Sequence, residues 1–311
     1  LGSGLGTLAD AVEVSSELNY TDIPHFPVST VIGHEGKLIF GKLGGKQCVM
    51  MKGRFHYYEG YDMLTVTFPI RVMKALGVQT LVVSNAAGGM NAAFQVGDIM
   101  LIRDHINQFP EHPLRGPSDK RLGPRFPDMS EPYSLSLLKI AHQAASDLNL
   151  KVHEGVYVGV QGPTFETRAE YKWLHIIGGD AVGMSTVPEV IVAVHAGMKV
   201  FAASIITDLG TPGHAGDISH EDVLKAANEA APKLAAIVRE VVARMEDEPG
   251  RLMFIGYLTI SKRKQEKTFF QSLDTMLNLR LQRHHLPFGQ INGLLLRMEP
   301  DQSFQDLNAD S

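Results

Sequence analysis

Cysteine is almost missing from this chain. Cys48 stands alone among 311 residues, so no intrachain disulfide can form, which suits a reducing compartment. An excess of basic charge is missing too. The 29 Lys and Arg face 34 Asp and Glu for a net charge of −5, so broad nucleic-acid binding, which needs a basic face, is not expected. No apolar run reaches the roughly 18 residues of a membrane span. Low hydrophobicity with high net charge, the signature of disorder, is absent: 44% of residues are hydrophobic and 20% charged. The 13 histidines show no His-x-x-x-His or Cys/His ligand spacing, so no metal site is expected. The glycine-rich start lacks the Gly-Lys-Ser/Thr ending of a nucleotide P-loop. No Ser/His/Asp order around Ser3 reads as a nucleophilic triad.

The chain does carry alternation. Lys37–Gly41 and Gln47–Met51 read as a hairpin across Gly44-Gly45. Helical spacing covers 63–76, with Pro69 as an irregularity. Strands are expected at 79–84, 98–103, 156–160 and 199–207, and helices at 134–149, 166–177, 186–196 and 220–246. Pro188 falls in a first helical turn, and Ser219 with Asp222 forms a box-like N-terminus. Residues 107–133, rich in Pro, Arg and Asp, form a long loop. Strands alternating with helices imply an α/β domain with a parallel or mixed sheet, whose ligands gather at strand ends. Length alone suggests two domains, at about 150 residues each. Character changes near residue 249: the first 250 residues carry 21 basic against 28 acidic, and 251–311 carry eight against six. The Lys262–Lys267 cluster reads as a solvated face.

Several strand ends carry polar groups. Gly2-Ser3-Gly4-Leu5-Gly6 could expose N–H groups and a hydroxyl to phosphate, or be a plain tight turn. The chain opens on this loop with no strand before it, so truncation at the N-terminus is expected. In Gly53–Gly60, Arg54 offers an oxyanion fork and His56 follows, or the stretch is a surface turn with an arginine ion pair. Asn85–Gly89 ends a strand with small residues that let Ala86 N–H meet an anion, or packs closely. Phe165 could stack a flat heterocycle and Glu166 accept ring N–H bonds; helix capping by Thr164 or Glu166 is the alternative. Met184 and Ser185 open a helix, as contacts or as core and N-cap. Thr207 and Asp208 are expected exposed at a strand end, functional or merely solvated. His195, on an apolar helix, is read as a satisfied core histidine.

Together these strings resemble the low-molecular-mass, trimeric class of purine nucleoside phosphorylases. The matching segments are Gly2–Gly6, Val31–Gly36, Gly53–Gly60, Asn85–Gly89, Val96–Asn107, Pro113–Pro117, Arg125–Ser130, Gly162–Thr167 and Gly183–Val190, in the family's order over residues 1 to about 246. The resemblance implies a nucleoside phosphorylase domain over 1–248, N-terminally truncated, and a C-terminal extension over 249–311 without assignment. It implies an α/β fold, one domain with a central mixed, partly barrel-like sheet flanked by helices. It implies phosphorolysis of purine nucleosides to free base and ribose 1-phosphate, in purine salvage, by a cytoplasmic homotrimer without cofactor and with inorganic phosphate as co-substrate. It places Ser3, His34, Arg54, His56, Ala86 and Ser185 on phosphate. Tyr58 and Met184 would contact the ribose, His220 its 5′-hydroxyl, and Phe126 the neighbouring subunit's ribose site. Ala87, Phe165, Glu166, Thr207 and Asp208 would hold the base. His56, Asn85, Glu166 and Asp208 would carry the catalytic chemistry.

Asp208 departs from the asparagine that the resemblance implies. An ionised aspartate only accepts hydrogen bonds, so better use of 6-aminopurine nucleosides is expected than among 6-oxo-specific relatives. Alternatively a protonated Asp208, its pKa raised by nearby Glu166, donates to O6 and keeps 6-oxo specificity. Two rival functions are a methylthioadenosine phosphorylase, disfavoured by His220 and Met184-Ser185, and a non-catalytic nucleoside-binding remnant.

Overall fold

The computed structural model of the chain describes residues 9, 11–24, 26–31, 35–210 and 219–246. Two sheets organise them. The first is a three-stranded antiparallel sheet of β1 (Glu13–Asn19), β2 (Lys37–Leu43) and β3 (Lys46–Lys52). The expected hairpin joins β2 to β3, with Leu43 opposite Lys46. Gly44 and Gly45 take φ of 57° and 80°, the left-handed pair a two-residue hairpin turn requires. β1 was not anticipated, because Glu-Val-Ser-Ser-Glu-Leu-Asn shows no clean alternation and its residues are largely exposed.

The second sheet closes on itself. After α1 (Met63–Ala75) come β4 (Thr80–Gly89), β5 (Ile99–Asn107), α2 (Leu135–Asp147), β6 (Val152–Gly159), α3 (Arg168–Ile176), β7 (Ala181–Gly183), α4 (Val187–His195), β8 (Lys199–Leu209) and α5 (His220–Arg244). The strands form a closed barrel in the order β4-β7-β6-β5-β8. β4 runs parallel to β8, β5 to β6 and β6 to β7, while β4–β7 and β5–β8 are antiparallel. The sheet is therefore mixed and barrel-like, as the resemblance implied. β7 has three residues, too few for any periodic signal, yet it closes the barrel.

β8 is buried without a break from Val200 to Thr207, as a strand covered on both faces must be. α5 covers it with a stripe at helical spacing: Val223, Ala226, Ala227, Ala230, Ala231, Leu234, Ile237, Val238, Val241 and Val242 are all buried. Ser219 caps this helix by accepting from Asp222 N, within the expected capping box. α1 runs straight through Pro69, with Asp62 as its N-cap. His195 is buried, and its Nδ1 lies 2.8 Å from Arg71 Nη2, while Arg71 Nη1 donates to the Leu122 carbonyl at 3.1 Å. It is the satisfied core histidine expected from the sequence, and it anchors the long loop to α4.

Candidate active site

β4 runs along the site from end to end. Its last residues, Asn85-Ala86-Ala87-Gly88-Gly89, are part of the strand rather than a turn after it. Residues 85 and 88 lie about 10 Å apart along extended backbone. Polar groups from four other segments converge on these two positions.

At the Asn85 end, Arg54 follows β3 and is buried, not at a surface turn, with 4% of its area exposed. Its Nη1 donates to Ser185 Oγ at 2.7 Å, and its Nε lies 3.7 Å from Glu189 Oε1. Ser185 and Thr186 form the junction between β7 and α4. Thr186 has a φ of 68° and is fully buried. Glu189 Oε2 accepts the Thr186 N–H at 3.0 Å, closing the helix start. This leaves Ser185 outside the cap, aimed at Arg54. Asn85 Nδ2 donates to Thr186 Oγ1 at 2.8 Å. Asn85 Oδ1 is buried with no hydrogen-bond partner among the described residues, so a donor is called for at that point. Ala86 is half-buried beside it, and its carbonyl lies 3.3 Å from where a Cβ on Gly183 would stand.

His56 packs beside Arg54. Burial pushes its imidazole below the usual value, against the opposing pull of Glu59, so it is neutral near pH 7. Glu59 Oε1 accepts from His56 N at 2.7 Å and lies 3.0 Å from His56 Nδ1. Thr30 donates its N–H and its hydroxyl to Glu59 Oε2 at 2.8 and 2.6 Å. Burial alone would raise the Glu59 carboxyl, but these bonds outweigh it and hold the group at about 2. The His56 ring is therefore oriented by an ionised partner. Tyr58 stacks on His56 at 4.7 Å between centroids, tilted by 14°. Tyr58 and Met184 both crowd Gly162: a Cβ there would run into the Met184 sulfur and meet Tyr58 Cδ1 at 3.3 Å. Tyr58 and Met184, both assigned to the ribose, thus come together at Gly162.

The Gly88 end is carboxylic. A register shift between Ala87 and Gly88 leaves Thr207 unpaired and sets Gly88 opposite Asp208, an irregularity that re-aims side chains at a strand end. Thr207 is buried and Asp208 largely so, contrary to the exposure expected. Thr207 Oγ1 donates to Asp208 Oδ1 at 2.9 Å and lies 3.4 Å from the Ala87 carbonyl. Tyr171, on α3, donates to Asp208 Oδ2 at 2.9 Å. No sequence signal singled out this tyrosine. Its polar end is visible only once α3 is packed on the barrel. α3 starts at Arg168 and is capped by Thr167 with Glu170, not by Thr164 or Glu166. Glu166 is thus released from capping and lies close enough to feel the Asp208 charge. Burial, with that charge added, pushes Glu166 up to about 7, and burial raises Asp208 as well. Phe165 directly precedes Glu166 and is 39% exposed.

Two assigned residues stand apart. His220 begins α5 with its side chain exposed, and among the described residues nothing joins it to the site. Phe126 is 87% exposed on the long loop, with the Arg125 guanidinium 5.6 Å from its ring centre. Ser3 and His34 lie outside the described residues.

Fold and site together define an α/β protein with a buried arginine–serine pair at one end of a strand and a carboxyl pair at the other. The Phosphorylase superfamily model matches residues 1–243. Purine nucleoside phosphorylase 1 of Geobacillus stearothermophilus is 52% identical over 245 residues, covering 79% of this chain and 89% of that protein. Purine nucleoside phosphorylase of Bos taurus is 52% identical over 250 residues, covering 78% and 86%. Among solved structures, Schistosoma mansoni purine nucleoside phosphorylase in complex with adenosine is 43% identical with a TM-score of 0.76, covering 79% of this chain and 90% of that one. The same protein in complex with inosine is 42% identical with a TM-score of 0.75. The chain belongs to the phosphorylase superfamily and, within it, to the purine nucleoside phosphorylases, a family of pentosyltransferases.

Proposed function

We propose that this enzyme cleaves purine nucleosides with inorganic phosphate, giving free base and pentose 1-phosphate. The observation that carries the reading is the shared strand. β4 joins the Arg54–Ser185 cradle at Asn85 to the Glu166–Asp208 pair at Gly88, about one nucleoside length away. Phosphate docks on Arg54, Ser185 and the Ala86 N–H, with Ser3 and His34 completing its shell. His56, neutral and oriented by Glu59, donates to it. The purine lies against Phe165, between Ala87 and the carboxyls. Tyr58, Met184 and His220 hold the sugar.

The chemistry follows from charge. The C1′–N9 bond breaks as its electron pair moves into the purine, leaving an oxocarbenium-like sugar. The anionic phosphate, held on the opposite face, stabilises that cation and closes a C1′–O bond. Proton donation from the carboxyl pair neutralises the departing base. Positioning and electrostatics do the work, with no covalent enzyme intermediate and no cofactor. We place the catalytic domain at 1–248, the assembly as a homotrimer completed by Phe126 of each neighbour, and the setting as cytoplasmic purine salvage. The direct test is phosphate-dependent hypoxanthine release from inosine, compared with methylthioadenosine. Release from inosine that does not depend on phosphate, or faster turnover of methylthioadenosine, overturns the reading.

A further inference from the structure

The Arg54 end of the site is held by one short stretch of chain that precedes β2. β3 ends at Lys52, and Gly53, with a φ of 116°, turns the backbone out of the sheet. The carbonyls of Gly53 and Arg54 therefore need partners other than a strand ladder. Tyr20 Oη donates to the Gly53 carbonyl at 2.7 Å, and Ser29 Oγ donates to the Arg54 carbonyl at 3.2 Å. Both carbonyls flanking the Arg54 Cα are thus pinned from the same segment. Further along, Thr30 gives its N–H and its hydroxyl to Glu59 Oε2, which leaves Oε1 for His56. Tyr61 Oη closes the far end on the Val28 carbonyl at 2.7 Å.

We propose that Tyr20 and Thr30 are positioning residues of the phosphate end: they hold Arg54 by its backbone and His56 through Glu59, and so set phosphate affinity without touching phosphate. The inference rests on phosphate docking at Arg54 and His56. Two separate routes lead there. Tyr20 acts through the Gly53 carbonyl on the place from which the Arg54 side chain starts. Thr30 acts through the Glu59 carboxyl on the orientation of the His56 ring.

Packing alone does not account for Tyr20. Its side chain is buried, with the ring centres of Phe26 and Phe55 at 5.0 and 5.2 Å. A phenylalanine would fill that seat as its neighbours do. The hydroxyl serves the one carbonyl that precedes Arg54. The backbone of Tyr20 is moored to the end of β3: Tyr20 N donates to the Gly36 carbonyl at 2.8 Å, and Gly36 N to the Lys52 carbonyl at 2.9 Å. The hydroxyl carries that fixed point one residue further, to Gly53. Position matters there because the Arg54 guanidinium is buried with Nη1 on Ser185 Oγ at 2.7 Å, so a small shift of its backbone misplaces the anion-binding fork. Thr30 works in the same way on His56. It holds Glu59 Oε2 by two bonds, and turning the carboxyl away from His56 would break both.

The test is made on the full chain, with calorimetry of inorganic phosphate and initial rates for phosphate and inosine. Tyr20→Phe and Thr30→Val should each raise the phosphate Kd and KM by about three- to tenfold, the worth of one hydrogen bond, with the inosine KM little changed. Double-mutant cycles separate positioning from general stability. Tyr20→Phe should add nothing to the phosphate defect of Arg54→Ala, and Thr30→Val nothing to that of His56→Ala, whereas the effects of Tyr20→Phe and Thr30→Val multiply. Thermal unfolding reports stability on its own. Variants that melt earlier yet bind phosphate like the parent give Tyr20 and Thr30 a structural role only and overturn the proposal. So does an undiminished effect of Tyr20→Phe in the Arg54→Ala background. Should Tyr20→Phe fail to fold, Thr30→Val, at an exposed residue, decides by the same measurements. A parent chain that takes up no phosphate overturns the phosphorolysis reading and this inference with it. A parent that binds phosphate, with variants that bind it equally well, overturns this inference alone.

Discussion

Arg54 shows how burial turns an ordinary residue type into a functional one. A surface arginine contributes little, but here the guanidinium is buried against Ser185 and Glu189, where a charge-assisted bond to an anion is strong. Arg54→Ala is expected to weaken phosphate by about 1.5–3 kcal/mol while leaving affinity for free base unchanged. Phosphate titrations at fixed nucleoside measure this, and an unchanged apparent phosphate affinity removes Arg54 from the site. Glu59 acts one step back. Its carboxyl titrates near 4.5 in the unfolded chain and at about 2 in the folded one. The folded state thus gains stability that is complete above about pH 4.5 and is lost as pH falls toward 2. Glu59→Gln should therefore be less stable than the parent at neutral pH, with the gap narrowing on acidification. Chemical denaturation at a series of pH values checks it, and a gap that widens in acid contradicts the assignment.

At the scale of elements, β4 matters most, because it carries both ends of the site and small residues between them. Gly88 is small for a stated reason: a methyl group there would meet Asp208 Oδ2 and Tyr171 Oη, each at 2.8 Å. Gly88→Ala is expected to displace both side chains, at a cost of about 1–3 kcal/mol in stability. Its kinetic mark should be a raised nucleoside KM with phosphate KM little changed, since the Arg54 cradle lies three residues away. Equal rises in both would mean that the strand itself had moved. α4 plays the complementary part. The Glu189 bond to Thr186 N starts the helix without using Ser185, and Asn85 ties that start back to β4.

At the scale of the whole molecule, Phe126 is the most exposed large hydrophobic side chain among the described residues. Phe126 is 87% exposed on a loop that α4 and Arg71 otherwise hold down. A large ring so placed fits a contact with a second copy. Sedimentation should show a homotrimer, and Phe126→Ala should raise the nucleoside KM without altering phosphate binding. A monomer with full turnover refutes the trimer. The superfamily match ends at residue 243, so a chain shortened to 1–250 should keep its phosphorolysis. Loss of turnover in a shortened protein with unchanged circular dichroism would give residues 251–311 a catalytic part.

The sequence by itself determined the α/β alternation, the β2–β3 hairpin, the α5 cap and most of the site's residue types, because each rests on local periodicity, turn chemistry or contiguous motifs. Arg54, Ser185, Asn85, Glu166 and Asp208 were all legible in this way. Only the tertiary structure decided that the sheet closes through a three-residue β7, that polar β1 is a strand, and that Thr207 is buried. Those outcomes depend on neighbours distant in sequence, which no window of residues contains. Tyr171 is the sharpest case. On its helix it is one more aromatic residue, and only the packing of α3 against β4 and β8 sets its hydroxyl on the Asp208 carboxyl beside Gly88. Whether a buried carboxyl keeps its proton is decided by burial and by the charges folded around it, and neither is written in the order of the residues.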